Sequence, residues 1–271
     1  MQKLLQRYRY SLILLRQLVI TDFKLRYQGS ALGYLWTLLR PLALFAILYF
    51  VFGVAFSLGD EIPHFPVYLL VGIVLWNYFT EVTVGSVSAI VGKGDLIRKI
   101  NFPKYVIILS GSFSALINLG INFLVIAVFM YFNDVDIRST IIFLPVLLLE
   151  LFIFSLALAF LLSAVFVRFR DVNYIWEVIM QAAFYATPIL YPISYVINQA
   201  SLGLAQIMML NPLAQIIQDV RYVLITPETQ TIAQIFGTRQ ARLIPLFMGV
   251  VLVIFAAWYF RSRSKYFAEE V

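Results

Sequence analysis

Three carboxylates stand inside long apolar stretches of the chain: Glu81, Glu150 and Glu177. A charged side chain at the centre of a bilayer costs about 2.5–3.5 kcal/mol on insertion scales, so such residues are functional candidates by default. Glu81 and Glu150 can carry protons in a proton-coupled transporter. They can equally line a polar path or pair with a basic residue elsewhere, and Glu177 falls near a helix start. The path-lining or structural role is the favoured one. His64 is the only histidine and sits beside Pro63. No HExxH pattern or other ligand cluster surrounds it, so metal and acid–base chemistry lack support, and a solvent-facing loop residue is expected. The absence of cysteine removes disulfides, thiolate metal sites and a thiol nucleophile.

The nearest approach to a phosphate loop runs from Gly85 to Gly92-Lys93-Gly94. Its spacing is too long for G-x-x-x-x-G-K-[ST], and glycine follows the lysine. No cofactor or metal is therefore expected on this chain, and an ATP-driven process needs its ATPase on a separate chain. The same neighbourhood holds a different candidate. Residues 93–104 read KGDLIRKINFPK, a short amphipathic helix between two apolar runs. Gly92 and Gly94 end the preceding helix, and Asp95 is placed to cap the next one. Arg98 and Lys99 fall toward its other end, matching the helix dipole. Leu96, Ile97 and Ile100 supply an apolar face, and Pro103 stops it. Gly94, Asp95, Leu96, Ile97, Arg98 and Lys99 thus form a knob able to fit a groove on a partner; an ordinary basic loop is the plainer reading. Lys24, Arg26 and Arg40 form a second basic group. Arginine suits bidentate phosphate contact, although each also serves as a topology signal.

Aromatics make up 16% of the chain. Part of this is the interfacial belt of a membrane protein. Tyr49, Phe50 and Phe52 in one apolar run, and Phe184, Tyr185, Tyr191 and Tyr195 in another, are also candidates to line a path for sugars, whose C–H faces pack on rings.

These groups need elements to position them. The 271 residues are 62% hydrophobic and 13% charged, with a mean hydropathy of +0.90. Soluble domains carry roughly 25% charged residues, and a bilayer core needs about 20 apolar residues per helix. An all-α polytopic membrane protein follows, with about six spans: 41–58 (or from Leu32), 65–91, 106–132, 141–167, 174–196 broken by Pro188 and Pro192, and 243–260. With the N-terminus inside, the inner segments hold most of the Lys and Arg. The outer ones hold only Arg138, Arg221, Arg239 and Arg242, with Asp60, Glu61, Asp134 and Asp136 in short loops. That is the positive-inside pattern, and it places both termini in the cytoplasm. The formal charge of +6 is then topological, and a nucleic-acid partner is disfavoured. No cleavable signal is visible, since Lys3, Arg7, Arg9 and Arg16 interrupt the first apolar positions.

Residues 1–31 hold an amphipathic interface helix, with Leu4, Tyr8, Leu12, Leu15 and Val19 at three- and four-residue spacing. Residues 197–242, punctuated by Pro212 and Pro227, hold apolar stretches too short to span. They are expected as re-entrant or interfacial helices of an outer gate, because non-spanning backbone at membrane depth must be buried in protein or line a cavity.

Several strings carry a resemblance. Residues 22–42 read DFKLRYQGSALGYLWTLLRPL, with Arg26-Tyr27, Leu32-Gly33, Trp36 and Pro41. They are followed by GDLIRKINFPK, RFRDV from Arg168, TPILYP from Thr187, and Asn211-Pro212. In this order they resemble the motif set of ABC-2-type permeases of polysaccharide exporters, with Gram-positive wall (rhamnan-type), O-antigen and teichoic-acid exporters as the nearest kinds. The resemblance spans most of the chain as a single transmembrane domain, 1–271. It implies a homodimer with two copies of a cytoplasmic ABC ATPase that binds the ATP and Mg, docked on the 93–104 coupling helix. It implies an undecaprenyl-diphosphate-linked glycan as cargo, loaded near Lys24, Arg26 and Arg40. It also implies a channel between protomers lined largely by the first and fifth spans, with Tyr34 and Trp36 joining the aromatics above. The rivals are an ABC-2 exporter of a small lipid or drug, a proton-coupled transporter, and a membrane-bound transferase, which would call for clustered acids or a metal site in a loop.

Overall fold

A computed structural model describes residues 2–26, 29–56, 62–100 and 102–270, without the side chains of 2–9, 26, 268 and 269. All regular structure among the described residues is helical. α1 (Gln2–Arg26) precedes a 3-10 turn (Gly33–Leu35), α2 (Trp36–Leu48) and a π-helical continuation (Tyr49–Ala55). Then come α3 (Phe65–Val87), the short α4 (Ala89–Gly92) and α5 (Gly94–Lys99), α6 (Tyr105–Phe132), and α7 (Leu144–Arg168) behind a 3-10 turn. α8 (Val172–Ala186), α9 (Ile193–Gln199), α10 (Leu202–Met209), α11 (Pro212–Leu224) and α12 (Ile232–Ile235) follow, and α13 (Leu243–Arg263) and α14 (Phe267–Glu270) close the chain.

Among the described residues, five helices are long and apolar enough to cross a membrane: 33–55, 65–87, 105–132, 139–168 and 239–263. With them the chain is a multi-pass membrane protein. The expected span at 174–196 is α8 and α9 with a break between them. Thr187 to Pro192 is non-helical, because Pro188 and Pro192 lack the N–H that an α-helix needs. The remaining boundaries agree with the sequence reading to within a few residues, except that the second span ends at Val87 and α4 is a separate turn. The end of the first expected span, 57–58, lies outside the described residues, as do Asp60, Glu61, Tyr27 and Asn101.

α3 is the hub: 78% of its apolar window is buried, against 11% for the first span and 17% for the fourth. It packs on α6, α7, α2, α8 and α11. α9 to α12 are folded around a small core of their own, including Ile193, Met209, Ala214, Ile232 and Ile235. This is a structured cap, in keeping with the short apolar stretches read from 197–242. α11 owes its place to its pattern: Asn211 caps it by accepting from the Leu213 N–H, and Pro212 sits at its first position. It packs on α3, α7 and α13.

Two placements depart from expectation. His64 is only half-exposed; it adopts a left-handed backbone (φ 53°) and its carbonyl accepts from Val67 and Tyr68 at the start of α3. The first span also starts deep. Thr37, on the first turn of α2, is already level with Asn122 in the second half of α6, whose amide donates to the Thr37 carbonyl (3.3 Å). Phe45 then meets Phe129 edge-on (5.3 Å), so the two helices climb together. The turn that allows this needs Gly33, whose φ of +49° is left-handed, a region that disfavours a Cβ.

Candidate functional site

At the end of the bundle that carries α5, the side chains sort by burial. Gly94 and Ile97 face inward; Asp95, Arg98, Lys99 and Ile100 face out. Ile100 therefore leaves the apolar face that the sequence assigned to it, because the helix stops at Lys99 and Ile100 is extended. Asp95 does not cap the helix. Lys93 holds the cap position, and Asp95 sits one residue inside the first turn, paired with Arg98 at 3.0 Å. α14 packs behind α5 and against the end of α7, with Phe267 fully buried and edge-on to Phe260 (5.5 Å). The exposed knob is thus backed by a firm floor.

One contact ties α1 to this end. Asp22 accepts from Lys93 Nζ with both oxygens (2.9 Å each) and from Ser110 Oγ (3.1 Å). Its partners sit just before α5 and on α6, so a carboxylate of the interface helix closes a three-way joint. The pair is about three-quarters buried on both sides, where charge-assisted bonds gain over exposed ones. Removing Asp22 and Lys93 singly and together, in a double-mutant cycle read by denaturant unfolding of the purified protein, is expected to show a coupling of about 1 kcal/mol. Additive losses would show the joint to be idle.

The late start of the first span leaves room beneath it. A cavity of about 590 Å³ opens between α2, α3 and α6, lined among others by Trp36, Arg40, Asn77, Tyr78, Glu81, Asn118 and Asn122. Glu81 accepts from the Asn118 amide at 2.7 Å. Arg40, expected at the inner interface, lies one turn beyond Thr37 and so beside the second half of α6; the late start of α2 carries it there. Lys24 is exposed near the end of α1, where Phe23 stacks on Tyr34 (4.9 Å). The side chain of Arg26 lies outside the described residues. The other intramembrane acids sit apart. Glu177 is exposed and accepts from Asn173 (2.8 Å). Glu150 lines a largely apolar cavity of about 360 Å³ between α7, α11 and α13, and no ion pair to it occurs among the described residues.

The aromatic set divides. Tyr34, Trp36, Phe50, Tyr185 and Tyr195 are exposed. Tyr49 is stacked between Phe45 (5.7 Å) and Phe65 (6.1 Å), and Phe184 is edge-on to Trp76 (5.6 Å). Phe52 stacks on Phe56 (5.9 Å). Tyr191 donates its hydroxyl to the Tyr185 carbonyl across the helix break (2.7 Å).

The residue that sequence reasoning missed is Arg221. It counted there only as one of few outer cations. It is fully buried on α11. Its Nε donates to the Tyr68 carbonyl (3.0 Å), Nη1 to Pro188 (2.6 Å) and Nη2 to Ile189 (2.7 Å). The guanidinium also lies 3.5 Å from the centre of the Tyr68 ring. Burial pulls its pKa down to about 10, against the opposing effect of Tyr68, so it stays charged at neutral pH. Three segments meet at this one group: the cap, the hub helix and the broken span. Two residues back along α11, Asp219 is buried too; burial pushes its carboxyl up, while Arg242 at 3.8 Å and the Gln215 amide at 3.3 Å pull it back. The available signal was a cation at helical spacing within the apolar run 214–225.

The profile of the family described as ABC-2 type transporter matches residues 13–225. The chain is 31% identical over 262 residues to the O-antigen export system permease protein RfbA of Myxococcus xanthus, covering 95% of each chain. It is 27% identical over 255 residues to the protein of that name from Klebsiella pneumoniae, covering 92% of this chain and 91% of the other.

Proposed function

The chain belongs to the ABC-2 type transporter family, and on that premise we propose that it is the membrane-spanning subunit of an ATP-driven exporter of lipid-linked polysaccharide. The cargo is a glycan on undecaprenyl diphosphate, carried out across the bacterial cytoplasmic membrane. The observation that carries this reading is the end-to-end match to permeases named for O-antigen export, at 95% of both lengths in one case. That match favours an O-antigen-type glycan over a teichoic acid or other wall polymer.

In this reading the chain acts as a homodimer with two copies of a cytoplasmic ABC ATPase, and both its termini are cytoplasmic. Each ATPase seats on the exposed face of α5. Closure of the ATPase pair on ATP pushes α5, and the Asp22–Lys93–Ser110 joint passes that motion to α1 and α6. The lipid diphosphate loads beside Lys24 and Arg26, at the end of α1. The glycan then slides along the weakly buried first span and the broken fifth, past Trp36, Phe50, Tyr185 and Tyr195. Many weak ring contacts suit conduction, which needs binding weak enough to release. The cap over residues 197–242 serves as the outer gate.

Gentle purification from the native membrane tests the reading. An ATPase with a phosphate-binding loop is expected in equal copy number, and depletion of the chain is expected to leave lipid-linked glycan inside the cell. A chain that comes out alone, under conditions that keep other transporter complexes whole, would overturn it.

A further inference from the structure

The cavity beneath the first span is polar where a bilayer protein should be dry. Asn118 and Asn122 are buried within it (4% and 8% exposed), and Tyr78 is 2% exposed. Three side chains of its lining each carry a buried polar atom with no partner among the described residues: Tyr78 Oη, Thr80 Oγ1 and Asn118 Oδ1. Buried polar groups are normally satisfied, and each one left alone is costly. Three on side chains of one cavity's lining mark a place suited to something that supplies both donors and acceptors.

The chemistry of the lining selects among ligands. A phosphate offers only acceptors, and here it would face the Glu81 carboxylate and the Asn118 carbonyl oxygen. A cation would face Arg40. A sugar ring answers every feature: its hydroxyls each donate and accept, matching the mix of amide, hydroxyl and carboxylate groups. Trp36, about half exposed at the rim, offers an indole face to the ring's C–H side. The volume of about 590 Å³ lies within the roughly 300–1,000 Å³ of small-molecule sites.

We propose that this cavity, within each protomer, binds one sugar unit of the lipid-linked cargo. The proposal rests on the export reading above. It adds a recognition step to it, since a lipid diphosphate bearing no sugar leaves the site empty.

The test uses the full complex with its ATPase in lipid nanodiscs, and two probes: undecaprenyl diphosphate, and the same lipid carrying a single N-acetylhexosamine. The sugar-bearing lipid is expected to bind about tenfold more tightly to the wild type. The variant carrying Tyr78→Phe and Thr80→Val loses only unpaired hydroxyls and keeps its packing. It is expected to bind both lipids alike, with affinity for the bare lipid diphosphate unchanged within about twofold. Equal binding of both probes to the wild type, or a preference that survives in the variant, overturns the proposal and leaves the export reading standing. Binding of neither probe overturns both.

Discussion

Arg221→Met is expected to leave little folded protein in the membrane, with a loss of stability on the order of 3–5 kcal/mol, as for breaking a buried ionic network. The reason lies in the broken fifth span. Between Ala186 and Ile193 the chain is not helical, and non-helical backbone at membrane depth must find partners inside the protein. The Pro188 and Ile189 carbonyls find theirs in one guanidinium, at 2.6 and 2.7 Å, which reaches Tyr68 as well. Methionine fills much of the same volume and donates nothing, so three carbonyls lose a charged donor, at about 1–3 kcal/mol for each group left unsatisfied. Lysine keeps the charge but lacks the planar fork, and Arg221→Lys is expected to recover less than half of the loss. Gly72 provides the control. A Cβ there would collide with Arg221 Nη2, and the guanidinium is pinned by its three acceptors. Gly72→Ala should therefore destabilise through the same contact, and the double variant should fall well short of the sum. The melting temperature of the purified protein decides the matter; an Arg221→Met variant within a degree or two of wild type would remove Arg221 from its place as the clamp.

The second large effect is functional and leaves the fold alone. Reversing the exposed charges of α5 with Arg98→Glu and Lys99→Glu is expected to lower export at least tenfold while the protein accumulates and melts as wild type. Neither side chain is buried, and the Arg98–Asp95 pair is 57% and 85% exposed at its two ends; solvent pairs of this kind contribute little to stability. What the change alters is the surface offered to the partner, where a like charge in place of an opposite one costs affinity and register. The assay is glycan export beside ATP hydrolysis in the reconstituted complex. Normal export by the variant would move the docking surface away from α5. The contrasting substitution, Ile97→Ala, acts on the inward face and is expected to lower stability instead, by about 2–4 kcal/mol.

Much of this molecule was legible in the chain itself. Bilayer residence, helix class, the rough span limits and the bias of cations toward one end are local or compositional properties, because a bilayer constrains each segment by length and hydropathy before any segment meets another. The stop at Pro188 is likewise a one-residue matter of a missing N–H. The short helix at 94–99 was readable from Gly, Asp and Pro, but its buried face was not: an amphipathic pattern of six residues does not say which side a neighbour such as α14 will cover.

Tertiary structure alone decided where the long-range polar groups go. Arg221 reads as one more outer cation until α11 packs on α3, and its acceptor Tyr68 is 153 residues away. Arg40 reads as an inner-interface charge until Asn122, 85 residues beyond Thr37, fixes the height at which the first span begins. Hydropathy places a segment across the membrane only to within a turn or two, since sliding a helix along its neighbours changes its apolar burial little. The hydrogen bonds of Asn118, Asn122 and Arg221 have one geometry each, and those bonds, invisible to periodicity, set the register that makes the cavity and closes the break.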